Sequence, residues 1–378
     1  MKHSSLLAPD YRTWATIRTQ ALKHNLHHLR AAQPAGTKIV SVIKADAYGH
    51  GALGVAPILE PGTDMFMVAE LSEALSLREH GIQKPILIAG ATGASYAQLM
   101  QTLDLRPCVY SYAQALALSQ ALTQGQLSIH LKLNTGMARL GLNVDGEWEQ
   151  VEKILSLPHL HLEGVFTHFA ESENLSSDFT QQQSHRFAEA LRRLVKMGYV
   201  PEYRHASNSA AAMLELPTGC NAVRLGIALY GCYPSPAVKE CWEAKYPQGA
   251  LQPVMHLQTR VVQVRELSPG ESLGYNRRFI PASPRTVAVL SAGYADGVPR
   301  SLSQKAKVIS PNCPLVGSVC MDMCFADVTD LAQPPAEGQA VTLFGDKQIP
   351  VEDWARAAGT IAYEILCGIS PRVPRIYQ

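Results

Sequence analysis

Eight short apolar, β-branched runs punctuate the first two-thirds of this sequence, near residues 39–43, 66–69, 86–89, 107–110, 128–133, 163–168, 203–206 and 221–225. Helical patterns separate most of them, as at Leu71 to His80, Ser111 to Leu122 and Asp178 to Lys196. Strand and helix in regular alternation, repeated eight times, make a closed (β/α)8 barrel the economical topology. An open doubly wound sheet is the runner-up, set second on the reading that no G-x-G-x-x-G follows the first strand.

After Pro247 the pattern changes to period-two alternation without long helices, at Val254 to Val264, Thr286 to Leu290, Lys307 to Ile309, Cys324 to Val328 and Val341 to Phe344. Prolines and glycines punctuate these runs, which predicts an antiparallel β domain. Thr13 to Ile17 is equally rich in strand-favouring residues and can join that domain as a strand. The expected division is therefore 1–18 as a strand segment of the β domain, 19–247 as the barrel and 248–378 as the β domain, an α/β fold with a mostly-β appendage. A chain of 378 residues exceeds what one ordinary core supports, which agrees with two domains.

Lys44 follows directly on the run Ile39 to Ile43, within Val42-Ile43-Lys44-Ala45-Asp46-Ala47-Tyr48-Gly49-His50-Gly51. An ammonium buried at a strand's end is costly unless neutralised, and a Schiff base removes the charge. Tyr48 and the nearby glycines add a hydroxyl and a closely approaching backbone, as a planar cofactor with a phosphate requires. An isolated lysine there would instead snorkel to solvent.

Barrel enzymes carry their sites at the carboxyl ends of the strands, so the residues there can be read together. Lys132 lies in the fifth run, His168 ends the sixth, His205 to Ser209 end the seventh, and Arg224-Leu225-Gly226-Ile227 closes the eighth. Ser209 offers a hydroxyl, Gly226 and Ile227 backbone N–H groups, to a phosphate. Taken alone, Ser209 reads as an ordinary helix cap and Arg224 as a salt-bridge arginine. Polar groups on five strand ends are harder to explain by packing.

These segments resemble the alanine racemases, pyridoxal phosphate enzymes of fold type III, and matches recur to the last residues of the chain. The resemblance implies pyridoxal 5'-phosphate held on Lys44, with Tyr48, His168, Asn208, Ser209, Gly226, Ile227 and Tyr363 around it and Arg224 opposite the ring nitrogen. An arginine cannot take up the proton that a carboxylate would share with that nitrogen, which favours prompt reprotonation at Cα. Racemisation needs proton transfer on both faces of a planar carbanion, because one base returns the proton to the side it left. Lys44 is one base, and Tyr275, in Glu271-Ser272-Leu273-Gly274-Tyr275, matches the other. In this family that tyrosine comes from the partner subunit, which implies a homodimer with shared sites.

The resemblance further assigns the substrate carboxylate to Arg139 and the backbone of Met321, and the entrance to Tyr294 and Arg300. Lys132 matches a lysine often carbamylated in the family. Two departures stand out: Asn134 where an aspartate is usual, and Ser318 where an arginine often narrows the corridor. The expected activity is interconversion of L- and D-alanine, supplying D-alanine for peptidoglycan. A broader-specificity or serine racemase of the same fold is the alternative, motivated by Asn134 and Ser318. A decarboxylase of basic amino acids fits Arg224 poorly. A non-enzymatic pyridoxal phosphate carrier would lack the β domain.

Formal net charge is +1 with both signs interspersed, so neither a nucleic-acid stripe nor a membrane-directed basic face is visible. The amino terminus has too short an apolar run for a secretory segment, and no stretch approaches a membrane span, which predicts a cytoplasmic protein. Eight scattered cysteines without a C-x-x-C pair suit reduced thiols, and no metal site is expected, the cluster His24, His27 and His28 reading as a solvated helix surface.

Overall fold

A computed structural model describes residues 11–378 and divides them between two sheets. Strand β1 (Thr13–Ile17) precedes the barrel, whose strands are β2 (Lys38–Val42), β3 (Met65–Val68), β4 (Ile86–Ile88), β5 (Leu105–Val109) and β6 (Leu127–Asn134). A two-residue strand β7 (Leu142–Asn143) hangs on β6, and β8 (Leu160–Phe166), β9 (Tyr203–His205) and β10 (Ala222–Leu225) complete the set. Every pairing among them is parallel; β10 returns to β2, and β5 pairs with β6. The sheet therefore closes into an eight-stranded barrel, and the open alternative is excluded.

The barrel's helices follow from their sequences. Along Phe179–Lys196 the buried residues Thr180, Gln183, Phe187, Ala190, Leu191 and Leu194 recur every three or four positions, an apolar stripe aimed at the strands. Gln183 on that stripe is buried for a polar reason: it accepts from the Ala170 N–H at 2.9 Å and donates to the His168 carbonyl at 3.1 Å, fixing the loop after β8.

The second sheet runs β13 (Leu315–Val316), β14 (Cys324–Asp327), β12 (Arg285–Leu290), β11 (Met255–Leu267), β1, β16 (Arg375–Tyr377), with β15 (Ala340–Phe344) also on β11. Both ends of the described residues thus lie in it: β1 is antiparallel to β11 and parallel to β16. Residues 307–309 do not form the expected strand. They contribute one isolated bridge, Lys307 to Pro314, and the paired strand comes later at Leu315–Val316. Two short helices, Val351–Ala358 and Ala362–Cys367, interrupt the domain, and the second carries Tyr363.

Contrary to the expectation that no G-x-G-x-x-G follows the first strand, Gly49-His50-Gly51-Ala52-Leu53-Gly54 has that spacing of dinucleotide-binding open sheets. Here the glycines serve packing between domains. A Cβ would lie 2.1 Å from the Leu366 carbonyl oxygen at Gly49, and 2.0 Å from Tyr377 ring or hydroxyl atoms at Gly51 and Gly54. The carboxyl-terminal segment presses directly on this loop.

Candidate active site

A cavity of about 240 Å³ opens at the carboxyl ends of the barrel strands. It gathers Lys44, Tyr48, Lys132, Arg139, His168, Asn208, Ser209, Arg224, Gly226, Ile227 and Tyr363, all of them residues singled out in the sequence. Val42, Met67, Ala89, Leu140 and Phe166 complete the lining and carry no polar signal by which sequence reasoning could have found them. The lining contains four basic side chains and no carboxylate. A larger hollow near Trp14, Arg18 and His256 lies on the β domain, apart from these groups.

Lys44 is not the last residue of its strand but the first of a left-handed turn. Ala45, Asp46, Ala47 and Tyr48 all have φ between 51 and 54°, a conformation that costs an L-residue roughly 1–2 kcal/mol each. Surrounding groups hold it. Glu73 accepts from the Ala45 N–H at 2.6 Å, Asp46 from the Ala52 N–H at 2.7 Å, and the buried His50 bonds through Nδ1 to the Tyr48 carbonyl at 2.9 Å. The Lys44 side chain is reachable through the cavity mouth, yet enough protein surrounds it that desolvation, then Arg139, lowers its ammonium pKa. Lys132, buried in β6, is pushed down to about 8, first by desolvation and then by Arg224.

Arg224 is buried and meets only neutral acceptors: His205 Nδ1 at 2.9 Å, His168 Nδ1 at 2.9 Å, and the carbonyls of Thr167 and Ala206 at 3.0 and 2.8 Å. Desolvation and the Arg224 charge hold His168 down to about 2, so its ring is neutral. Phe166 lies flat on His205, ring centroids 4.8 Å apart.

Ser209 is not the helix cap. Asn208 caps, accepting from the Ala211 N–H at 3.0 Å, which leaves the Ser209 hydroxyl to accept from the Gly226 N–H at 2.9 Å. At Gly226 a Cβ would stand 2.7 Å from the Tyr48 hydroxyl, so only glycine lets β10 approach it. The hydroxyls of Tyr48 and Tyr363 have no partner among the described residues, and the two rings stand 5.9 Å apart.

Tyr275, Tyr294 and Met321 are not brought to this cavity. They sit on turns of the β domain, 68, 44 and 53% exposed. The last two turns are bonded together, Tyr294 N–H to the Cys320 carbonyl and Ala295 N–H to the Met321 carbonyl, both at 3.0 Å. Asp296, buried between Arg12 and Arg372 at 2.7 and 2.8 Å, clamps them. Asn134 and Ser318 are absent from the lining: the Asn134 amide oxygen accepts from Gly136 and Ala138 N–H groups, and Ser318 is buried.

Fold and site together define a barrel enzyme whose mouth is built for a small ligand bearing more than one negative charge. Residues 17–234 match the alanine racemase N-terminal domain and residues 254–377 the alanine racemase C-terminal domain. Alanine racemase 1 of Clostridium acetobutylicum is 40% identical over 375 residues, 96% of this chain and 95% of that protein, and the alanine racemase of Geobacter sulfurreducens is 40% identical over 97% of each. A solved alanine racemase of Clostridium difficile 630 superposes with a TM-score of 0.89 at 33% identity, covering 97% of this chain and 96% of that one. The chain belongs to the alanine racemase family and is an isomerase, an amino-acid racemase. The match to the second domain removes the carrier reading. Among the described residues no helix is long and apolar enough to cross a membrane.

Proposed function

We propose that this chain interconverts L- and D-alanine with pyridoxal 5'-phosphate, as a cytoplasmic homodimer supplying D-alanine for peptidoglycan. The observation that carries this reading is a cavity with four cations and no carboxylate, which suits a phosphate and an amino-acid carboxylate held side by side. The residues fit the cofactor. Ser209, Gly226, Ile227, Tyr48, Tyr363 and Asn208 would hold its phosphate, His168 and Arg224 would face its ring, and Lys44 Nζ would carry it. When bound, pyridoxal phosphate acidifies the α-proton of the amino acid attached to it.

The protein's part is then to hold the substrate and move one proton. Lys44, its pKa already lowered, holds or releases a proton at Nζ on one face of Cα. The partner subunit's Tyr275 does so at its hydroxyl on the other face, which the exposure of Tyr275, Tyr294 and Met321 in a single chain supports. Arg139 and the backbone N–H of Met321, which has no partner among the described residues, bind the carboxylate. Lys132, at about 8, keeps a fraction of neutral amine near pH 7 and is the site proposed for carbamylation, the new anion then facing Arg139. Neither Asn134 nor Ser318 lines the cavity, so a serine or broad-specificity reading gains nothing from them.

The test is NMR of L-alanine turned over in heavy water by wild type and Tyr275→Phe. Deuteration at Cα with inversion in wild type, and severe loss of inversion in the variant, is the expected result. Exchange without inversion, or turnover of serine in preference to alanine, would refute the assignment.

A further inference from the structure

Arg224 is one end of a hydrogen-bonded file that crosses the barrel through five strands. Arg224 on β10 donates to His205 Nδ1 on β9 at 2.9 Å; His205 Nε2 meets His130 Nδ1 on β6 at 2.9 Å; His130 Nε2 meets Glu163 Oε2 on β8 at 3.1 Å. Arg106 on β5 closes the file, its Nε and Nη2 on the Glu163 carboxylate at 3.0 and 3.1 Å. Both histidines are fully buried and Glu163 nearly so. Room is made for the rings: a Cβ on Gly164 would lie 2.4 Å from His130 Nδ1, and Phe166 stacks on His205.

The protons in this file have only one consistent arrangement. A guanidinium can only donate, so His205 Nδ1 is bare and its proton is on Nε2. That proton is given to His130 Nδ1, which is therefore bare too, and the His130 proton is on Nε2. It ends on an ionised carboxylate, which can only accept. Donor-only arginine at one end and acceptor-only glutamate at the other leave neither neutral ring a choice, and hydrogen bonds in file polarise one another.

We propose that Glu163 and His130 are positioning residues for Arg224: they lock His205 in its Nε2–H tautomer, keeping Nδ1 free to hold the guanidinium in the cavity wall. The effect on turnover rests on the reading of Arg224 as the cofactor's partner; the tautomers do not.

The experiment is long-range 1H–15N NMR of the holoenzyme labelled with 15N-histidine, in wild type, His130→Asn and His130→Leu. Wild type is expected to carry its ring proton on Nε2 in both His130 and His205, and any other tautomer in wild type overturns the proposal whether or not the variants fold. In His130→Asn the amide oxygen replaces Nδ1 as acceptor, so His205 stays Nε2–H and kcat stays near wild type. In His130→Leu His205 moves toward Nδ1–H, the absorption band of the bound cofactor shifts and kcat falls about tenfold or more, as loss of an orienting partner commonly does. An unchanged His205 in His130→Leu overturns the proposal. A changed tautomer with an unchanged absorption band upholds the file and refutes Arg224 as the cofactor's partner.

Discussion

Gly226 makes the sharpest case at the residue scale, because its lack of a side chain is what brings the β10 backbone against the Tyr48 hydroxyl. Gly226→Ala puts a methyl 2.7 Å from that oxygen, and Tyr48 cannot retreat, packed as it is on Tyr230 and near Tyr363. The expected outcome is a rise of about tenfold or more in the Kd for pyridoxal phosphate, about 1.4 kcal/mol per tenfold, read by titration of the absorbance of the bound cofactor. An unchanged Kd would mean the phosphate is held elsewhere. Lys44 and Arg224 were legible in the sequence because each breaks an apolar run with a charge that needs a partner, whereas Ser209, after Ser207-Asn208, was legible only beside them, since alone it reads as a helix cap. Phe166 was not, since an aromatic at a strand end reads as core whether it faces other apolar side chains or a histidine.

At the scale of elements, strand positions were legible from β-branched runs, whereas the turn after β2 was not. Of Ala45-Asp46-Ala47-Tyr48 only Asp46 tolerates left-handed backbone readily; the contact from Glu73, 28 positions away, helps impose it together with the neighbouring His50, and the first depends on the fold. Glycine at an exposed left-handed position relieves strain and adds flexibility to the unfolded chain, two effects of similar size. Ala45→Gly is therefore expected to change stability by less than about 1 kcal/mol, and to raise it if anything. Ala190→Gly, on the buried stripe of the helix Phe179–Lys196, is expected to cost more than about 1 kcal/mol, the lost helix propensity adding to the packing of a buried methyl. Chemical denaturation of the two variants side by side is the check; a larger loss from Ala45→Gly would contradict the strain argument. The Lys307 region escaped for the opposite reason, a β-favouring run whose pairing is taken by Leu315–Val316.

For the whole molecule, four histidines, the buried His50, His130 and His205 and the half-buried His168, are all held below the ordinary pKa of 6.5, desolvation being the largest cause in each. Folded values lie below unfolded ones, so this stability is complete above about pH 6.5 and is lost as pH falls toward the folded values, about 4 for His50 and about 2 for His168. Each group contributes up to about 1.4 kcal/mol per pH unit. The denaturation midpoint should drop steeply from pH 6.5 to 5.5 and much less from 8.5 to 7.5, where Lys132, lowered to about 8, adds a smaller loss of its own; equal midpoints at 7.5 and 5.5 would contradict it. A second prediction concerns the shared site. Lys44→Ala and Tyr275→Phe chains, each inactive, should regain roughly a quarter of wild-type activity when mixed and allowed to exchange subunits, since half the dimers carry one intact site; no recovery would sink the two-subunit arrangement. The sheet that carries Tyr275 also dictates an order of events during synthesis. Thr13 and Thr259 bond side chain to side chain across 246 positions of sequence, so β1, once it leaves the ribosome, waits through the making of the entire barrel for its partner. Until then both of its buried faces, Trp14 on one and Ile17 on the other, are uncovered and its backbone is an open sheet edge, and a chaperone that shields the nascent amino-terminal segment should raise the yield of this protein more than one acting after release.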